Sequence, residues 1–155
     1  MKMTVIGCGY LGAVHAACMA ALGHDVVGID IDHDKVQALA SGRSPFHEPG
    51  LDEILAQGTA SGRLRFTAEP TAADLRGRGL HFITVGTPQA PGEGSADLSH
   101  LMCAVSMLVR LLDPDEGAVV VGKSTVPVGT AQRVDEARGA QRVGDGEALA
   151  QELGV

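Results

Sequence analysis

The sequence predicts an α/β fold, a doubly wound and mainly parallel sheet with helices on both faces. Three observations predict it. Short apolar runs alternate with stretches of helical periodicity along most of the 155 residues, which is the pattern of successive strand–helix units. The stretches between them are short and carry Gly and Pro, so consecutive elements lie side by side. The first apolar run passes straight into Gly7-Cys8-Gly9-Tyr10-Leu11-Gly12, a glycine turn that opens a helical pattern.

Taken in order, Lys2 to Ile6 reads as a buried strand, and the helix after the glycine turn is expected to reach about Leu22, with Gly23 ending it. Leu11, Val14, Cys18 and Leu22 are its expected apolar face, and Ala16, Ala17, Ala20 and Ala21 keep its flanks small. Asp25 to Asp30 is expected as a second strand, apolar in its middle as a strand covered on both faces would be. Asp32 is placed to cap a helix from Asp34 to about Ala40 that stops near Gly42. A loop, Arg43 to Pro49, leads to a helix expected over Gly50 to Gln57, with Leu51, Ile54 and Leu55 inward.

A short strand at Leu64 to Thr67 comes next, then a small helix started by Pro70 and running to Leu75. Gly79 to Val85 is expected as a strand and Gly86 to Ala96 as a Gly/Pro loop. Asp97 is the expected cap of the clearest helix, whose stripe is Leu98, Leu101, Met102, Val105, Leu108, Val109 and Leu112. Asp113-Pro114 stops it. Gly117 to Gly122 is expected as a fifth strand, Ser124 to Thr130 as a loop, and Ala131 to about Arg138 as a last helix. Gly144-Asp145-Gly146 reads as a turn, and Glu147 to Leu153 as either a short amphipathic helix or a frayed tail. The expected division is one domain over residues 1–138 and an atypical tail over 139–155.

A domain of this length buries roughly 70% of the surface its unfolded chain exposes, which is enough for a core. The net charge of −7 and the 3% aromatic content oppose a nucleic-acid or anionic-membrane surface. No apolar run approaches the roughly 20 residues that span a bilayer, and the first strand starts almost at Met1, so no targeting peptide is expected. Cys8, Cys18 and Cys103 lie far apart without a CxxC, so a disulfide framework is not expected; a cytoplasmic location is. Small core or loop cysteines are the expectation for all three. The six histidines show no metal-ligand spacing, so no metal is expected, and surface or helix-end positions are. His47 alone stands where it could face a ligand.

The chemistry is concentrated in the glycine turn. Gly7 permits a tight turn off the strand, Gly9 lets the backbone approach a pyrophosphate, and Gly12 allows close helix–strand packing. The helix behind it offers N–H groups and a partial positive charge. Alone, GxGxxG is a weak signal. A preceding strand, a following helix and an acid ending the second strand, Asp30, strengthen it into a dinucleotide fingerprint. Asp30 is placed to accept from the adenosine ribose hydroxyls and to repel a 2′-phosphate, which favours NAD over NADP, although Lys35 could offset that repulsion. Val85-Gly86-Thr87-Pro88 and Lys123 to Thr130 end the fourth and fifth strands over the same crevice. Their Ser, Thr, Pro and Gly read either as turn chemistry or as further walls of the site.

Five segments resemble the NAD-binding domain of the UDP-glucose/GDP-mannose dehydrogenase family: VIGCGYLG at 5–12, GHDVVGID at 23–30, SPFHEPGLDEIL at 44–55, FITVGTP at 82–88 and KSTVPVGT at 123–130. They extend from Met1 to about Ala137, and KSTVPVGT is more similar to the UDP-glucose branch. The resemblance implies a Rossmann-type fold with NAD as cofactor. It implies that Gly7, Gly9 and Gly12, with Tyr10 and Leu11 in the same turn, hold the pyrophosphate. It implies that Asp30 and Lys35 contact the ribose, and that Gly86, Thr87 and Pro88 lie along the cofactor. Ser124 and Thr125 would reach toward the nicotinamide, with Thr125 in a supporting catalytic role, and the 44–50 loop would border the mouth.

Family enzymes oxidise the sugar C6 alcohol to a carboxylate with two NAD, through a thioester on a cysteine in a Gly-Gly-x-Cys context. None of the three cysteines stands in that context, and the segment Asn-Pro-Glu-Phe-Leu is replaced by RVGDGEALAQELGV, so Glu147 and Glu152 do not take its glutamate's role. The family's catalytic Cys, Lys, Asn and Glu, its dimer-forming helix and its UDP-binding domain have no counterpart here. The expectation is a chain that binds NAD and meets UDP-glucose only when a C-terminal domain is supplied, with the family's homodimer lacking its helix. The alternative is a stand-alone, non-catalytic NAD-binding or regulatory module. Another Rossmann dehydrogenase, such as a 3-hydroxyacid type, fits SPFHEPGLDEIL and KSTVPVGT less well.

Overall fold

A computed structural model describes residues 1–90 and 96–141, the side chains of 137–141 excepted. The turn expected at 144–146, the helix or tail expected at 147–153 and a sixth strand after Arg142 lie outside these residues.

Five parallel strands form one sheet in the order β3-β2-β1-β4-β5. They are β1 (Lys2–Ile6), β2 (Asp25–Ile29), β3 (Leu64–Thr67), β4 (Leu80–Ile83) and β5 (Val119–Gly122). The connecting helices are α1 (Tyr10–Ala21), α2 (His33–Ala40), α3 (Leu51–Ala60), α4 (Ala72–Leu75), α5 (Ser99–Leu111) and α6 (Thr130–Gln141). Helices α1, α2 and α3 share one core with Met3, Val5, Val26, Leu64 and Phe66. Helices α4, α5 and α6 contribute Leu75, Leu101, Val105, Leu108 and Val134 to a second, around Ile6, Val27, Ile29 and Ile83. Successive residues of a strand point to opposite faces, so a sheet buried on both sides reads as a continuous apolar run.

The order reverses between β1 and β4. In such sheets ligands bind at that point, outside the carboxyl ends of the strands. The glycine turn ends β1, Asp30 follows β2, and the 84–88 and 123–130 segments follow β4 and β5.

Helix α1 departs from expectation. Its buried residues are Gly12, Ala13, Ala16, Ala17 and Ala20, while Leu11, Cys18 and Leu22 are exposed and Val14 is half-buried. The small face, not the large one, lies on the sheet. A Cβ at Gly12 would collide with the Gly7 carbonyl oxygen, so the helix starts in backbone contact, and only small residues continue that approach.

Other differences are local. Helix α3 runs on to Ala60. Helix α4 starts after Pro70, where Thr71 and Asp74 form a capping box. The N-cap of α5 is Leu98, one residue after Asp97, whose carboxylate accepts from the Ser99 N–H at 2.9 Å. Helix α6 extends from Thr130 to Gln141. Asp32 caps α2 as expected, accepting from the Lys35 N–H at 3.0 Å.

His81 and His15 are neither exposed nor at a helix end. His81 is fully buried and its Nδ1 lies 2.8 Å from Thr4 Oγ1, its register partner across β1 and β4. His15, on α1, packs edge-on against Phe82 with ring centroids 4.4 Å apart. Burial, followed by the charge of Lys123, holds its imidazole below the ordinary value. Neither position could be read from the sequence, because both depend on which helix and strand face each other. Cys18 and Cys103 likewise are exposed, and only Cys8 is in the core.

Candidate functional site

Each glycine of the turn meets a different neighbour. Gly7 has φ +90°, a left-handed conformation that favours glycine. Its N–H donates to the Ile29 carbonyl at 2.8 Å, and a Cβ there would stand 2.8 Å from Val85. Gly12 has the Gly7 carbonyl and Thr84 Oγ1 where its Cβ would be. Gly9 differs, since a Cβ there meets no atom within 4 Å. The chain's own packing therefore requires glycine at 7 and 12, while Gly9 borders open space.

Gly9 is also the N-cap of α1, where no side chain caps the helix and no acid stands in the first turn. Such a terminus presents N–H groups and positive potential to an anion. Tyr10 and Leu11, in that first turn, are exposed. The Tyr10 hydroxyl donates to the Glu48 carboxylate, and its ring lies 5.3 Å from that of Phe46. The 44–50 loop is thereby held beside the glycine turn. His47, in that loop, is exposed.

Asp30 is 8% exposed and its carboxylate is fully engaged. Oδ2 accepts from the Cys8 N–H at 2.7 Å, Oδ1 from the Asp32 N–H at 3.0 Å, and Lys35 Nζ lies 3.1 Å from both oxygens. A carboxylate offers about four acceptor positions. A ligand hydroxyl donating to Asp30 would therefore displace Lys35, the one partner on a flexible side chain.

The walls beyond are tied to each other. Thr84 Oγ1 lies 2.6 Å from the Gly7 carbonyl oxygen and 3.0 Å from that of Ile6. Ser124 Oγ donates to the Val85 carbonyl at 2.6 Å, and Thr87 Oγ1 to the Thr125 carbonyl at 2.7 Å. The hydroxyl protons of Ser124 and Thr87 thus latch one loop to the other. Gly86, Pro88 and Thr125 are exposed on this wall, and a Cβ at Gly86 meets nothing within 4 Å.

Cys8 lies within the turn but faces away from the open space. Its Sγ is 3.6 Å from the Ile29 carbonyl, in the gap left by Gly28. Burial and then the Asp30 charge push its thiol up to about 12. It is no nucleophile at neutral pH, since the thiolate is the reactive form. Among the described residues, no group of three or more His, Cys, Asp or Glu could hold a metal ion, and no helix is long and apolar enough to cross a membrane.

The structure brings Gly7, Gly9, Tyr10, Leu11, Gly12, Asp30 and Lys35 together around one turn, with Gly86, Thr87, Pro88, Ser124 and Thr125 on the adjoining strand ends. Sequence reasoning passed over Thr84, which with Val85 touches the turn directly. Thr84 lies inside the segment FITVGTP, but its partner is 77 residues away, and only the β1–β4 pairing reveals it.

The sequence model for the UDP-glucose/GDP-mannose dehydrogenase family, NAD binding domain, matches residues 1–151. A UDP-glucose 6-dehydrogenase of Rhizobium meliloti (strain 1021) is 47% identical over 135 residues, which are 87% of this chain and 30% of that protein. A solved UDP-glucose dehydrogenase from Pyrobaculum islandicum superposes with a TM-score of 0.78 at 43% identity, over 89% of this chain and 33% of that one. A GDP-mannose dehydrogenase from Pseudomonas aeruginosa, solved as a ternary complex, superposes with a TM-score of 0.81 at 36% identity, over 86% and 30%. The chain thus spans about a third of the length of these relatives.

Proposed function

This chain belongs to the UDP-glucose/GDP-mannose dehydrogenase family as its NAD-binding domain, and from that premise we propose how its residues seat the cofactor and what reaction the seat serves. The pyrophosphate lies on the Gly7–Gly12 turn against the N-terminus of α1, with Tyr10 and Leu11 beside it. The adenosine ribose hydroxyls donate to Asp30, with Lys35 moved aside onto the ribose edge. The nicotinamide end extends along Gly86, Thr87 and Pro88 toward Ser124 and Thr125. The observation that carries this seat is the open space at Gly9, next to an uncapped helix N-terminus and a buried acid.

When bound, NAD accepts a hydride, and the protein's part is to hold and orient it. We propose UDP-glucose as the sugar nucleotide oxidised by the complete enzyme. KSTVPVGT supports that choice, as do the identities to UDP-glucose enzymes given above. None of Cys8, Cys18 and Cys103 stands in a Gly-Gly-x-Cys context, so residues 1–138 serve as the cofactor module and the reacting groups come from elsewhere in the enzyme, as does the surface for a homodimer. The unbridged thiols support a cytoplasmic location.

Calorimetry of Gly9→Val tests the seat. Wild-type chain binds NAD, and the variant keeps its fold, because a Cβ at Gly9 meets no protein atom within 4 Å, yet loses NAD binding. Unchanged affinity overturns the seat. The 155-residue chain, given NAD and UDP-glucose, forms no NADH; UDP-glucuronate produced by it would overturn the assignment of a cofactor module alone.

A further inference from the structure

The peptide between Gly7 and Cys8 is held at both of its polar atoms. Its carbonyl oxygen lies 2.6 Å from Thr84 Oγ1, and its N–H donates to Asp30 Oδ2 at 2.7 Å. The two holders come from opposite neighbours of β1. Asp30 follows β2 and Thr84 follows β4. A hydroxyl has one proton to donate, and the Gly7 oxygen is nearer to it than the Ile6 oxygen at 3.0 Å. Both holders are buried, each 8% exposed.

This peptide needs holding. Gly7, at φ +90°, has no side chain to restrict rotation of the plane behind it. The same carbonyl lies over Gly12, so its direction also sets how closely α1 begins against β1. Rotation of this plane would turn the Gly9 and Tyr10 backbone with it, and with them the N-terminus that faces the open space.

We propose that Thr84 is a positioning residue for the cofactor turn: with Asp30 it clamps the Gly7–Cys8 peptide and so pre-sets the N–H groups at the start of α1. The proposal deepens the pyrophosphate seat and rests on it for its consequence. The clamp itself exists without cofactor. Asp30 then has two tasks, one oxygen bracing the turn while the carboxylate also serves the ribose.

The test uses Thr84→Ala and Thr84→Ser. Amide hydrogen exchange at Cys8 is measured by NMR without NAD, and NAD affinity by calorimetry. Removing one neutral hydrogen bond predicts roughly fivefold faster Cys8 exchange in Thr84→Ala and roughly fivefold weaker NAD binding. Thr84→Ser restores both. Cys8 exchange that stays at the wild-type rate in Thr84→Ala overturns the clamp, and so does a Thr84→Ser that behaves like Thr84→Ala. Faster exchange with unchanged NAD affinity overturns the positioning role. If the wild-type chain binds no NAD, the pyrophosphate seat fails, while the exchange rates still decide the clamp.

Discussion

Cys8 shows how much one position depends on its neighbours. It lies in the turn expected to meet the cofactor, yet its side chain is fully buried between Ile29 and the space above Gly28. Burial, helped by the Asp30 charge, moves its thiol from the ordinary 9.0 to about 12. Between those values the unfolded chain is ionised at Cys8 and the folded chain is not. The folded state then binds more protons, so folding stability falls as pH rises through that window. The same burial predicts thiol reactivity. At pH 8, alkylation followed by mass spectrometry should modify the exposed Cys18 and Cys103 first. Cys8 should react only when the chain unfolds, and labelling it as fast as the other two would contradict its placement.

At the scale of the element, helix α1 is decided by its approach to the sheet. Its hydrophobic pattern offers two faces. The larger residues, Leu11, Cys18 and Leu22, lie outside, and Ala13, Ala16, Ala17 and Ala20 lie inside. Packing forces this choice, because a helix whose first turn touches the Gly7 carbonyl leaves no room for leucine below. The replacement Ala17→Leu should therefore cost about 1–3 kcal/mol by overpacking. Leu22→Ala, at a position 70% exposed, should stay within about 0.5 kcal/mol of wild type. Urea denaturation of both variants measures the contrast, and a larger loss from Leu22→Ala would reverse the assigned face. Helix α5 shows the opposite case. Of its expected stripe, Leu101, Met102, Val105, Leu108 and Leu112 are buried and Leu98 and Val109 are half-buried, so the face its period predicts is the one that packs.

Across the whole molecule the two ends of the sheet have different work. The carboxyl ends carry the glycine turn, Asp30 and the latched loops. At the amino ends, the buried Arg78 ties β1, β2 and α4 together. Its guanidinium donates to the carbonyls of Asp74 at 2.7 Å, Asp25 at 2.9 Å and Met3 at 3.3 Å, and pairs with the Asp25 carboxylate at 3.0 Å. The Asp25 side chain is 42% exposed, so solvent screens that pair and the backbone bonds carry most of the effect. Arg78→Met should cost about 3 kcal/mol of folding stability, because it leaves several carbonyls without their donor. NAD affinity measured below the melting temperature should be nearly unchanged, and a parallel loss of affinity would show that the two ends are not independent.

Much of this protein could be read from local pattern. The five strands, the order of helices and the fingerprint of Gly7, Gly9, Gly12 and Asp30 follow from period, turn chemistry and spacing, which are properties of adjacent residues. The Rossmann-type fold and the family followed from the same segments. The inward face of α1, the burial of His81 and the clamp of Thr84 on Gly7 were not legible there. Each depends on which residue of a distant strand or helix comes within van der Waals or hydrogen-bond reach, and a chain's own order carries no such distance. Amino-acid order thus determined where the glycine turn would form. Only the pairing of β1 with β2 and β4 decided what holds that turn in shape, because both holders arrive across the sheet.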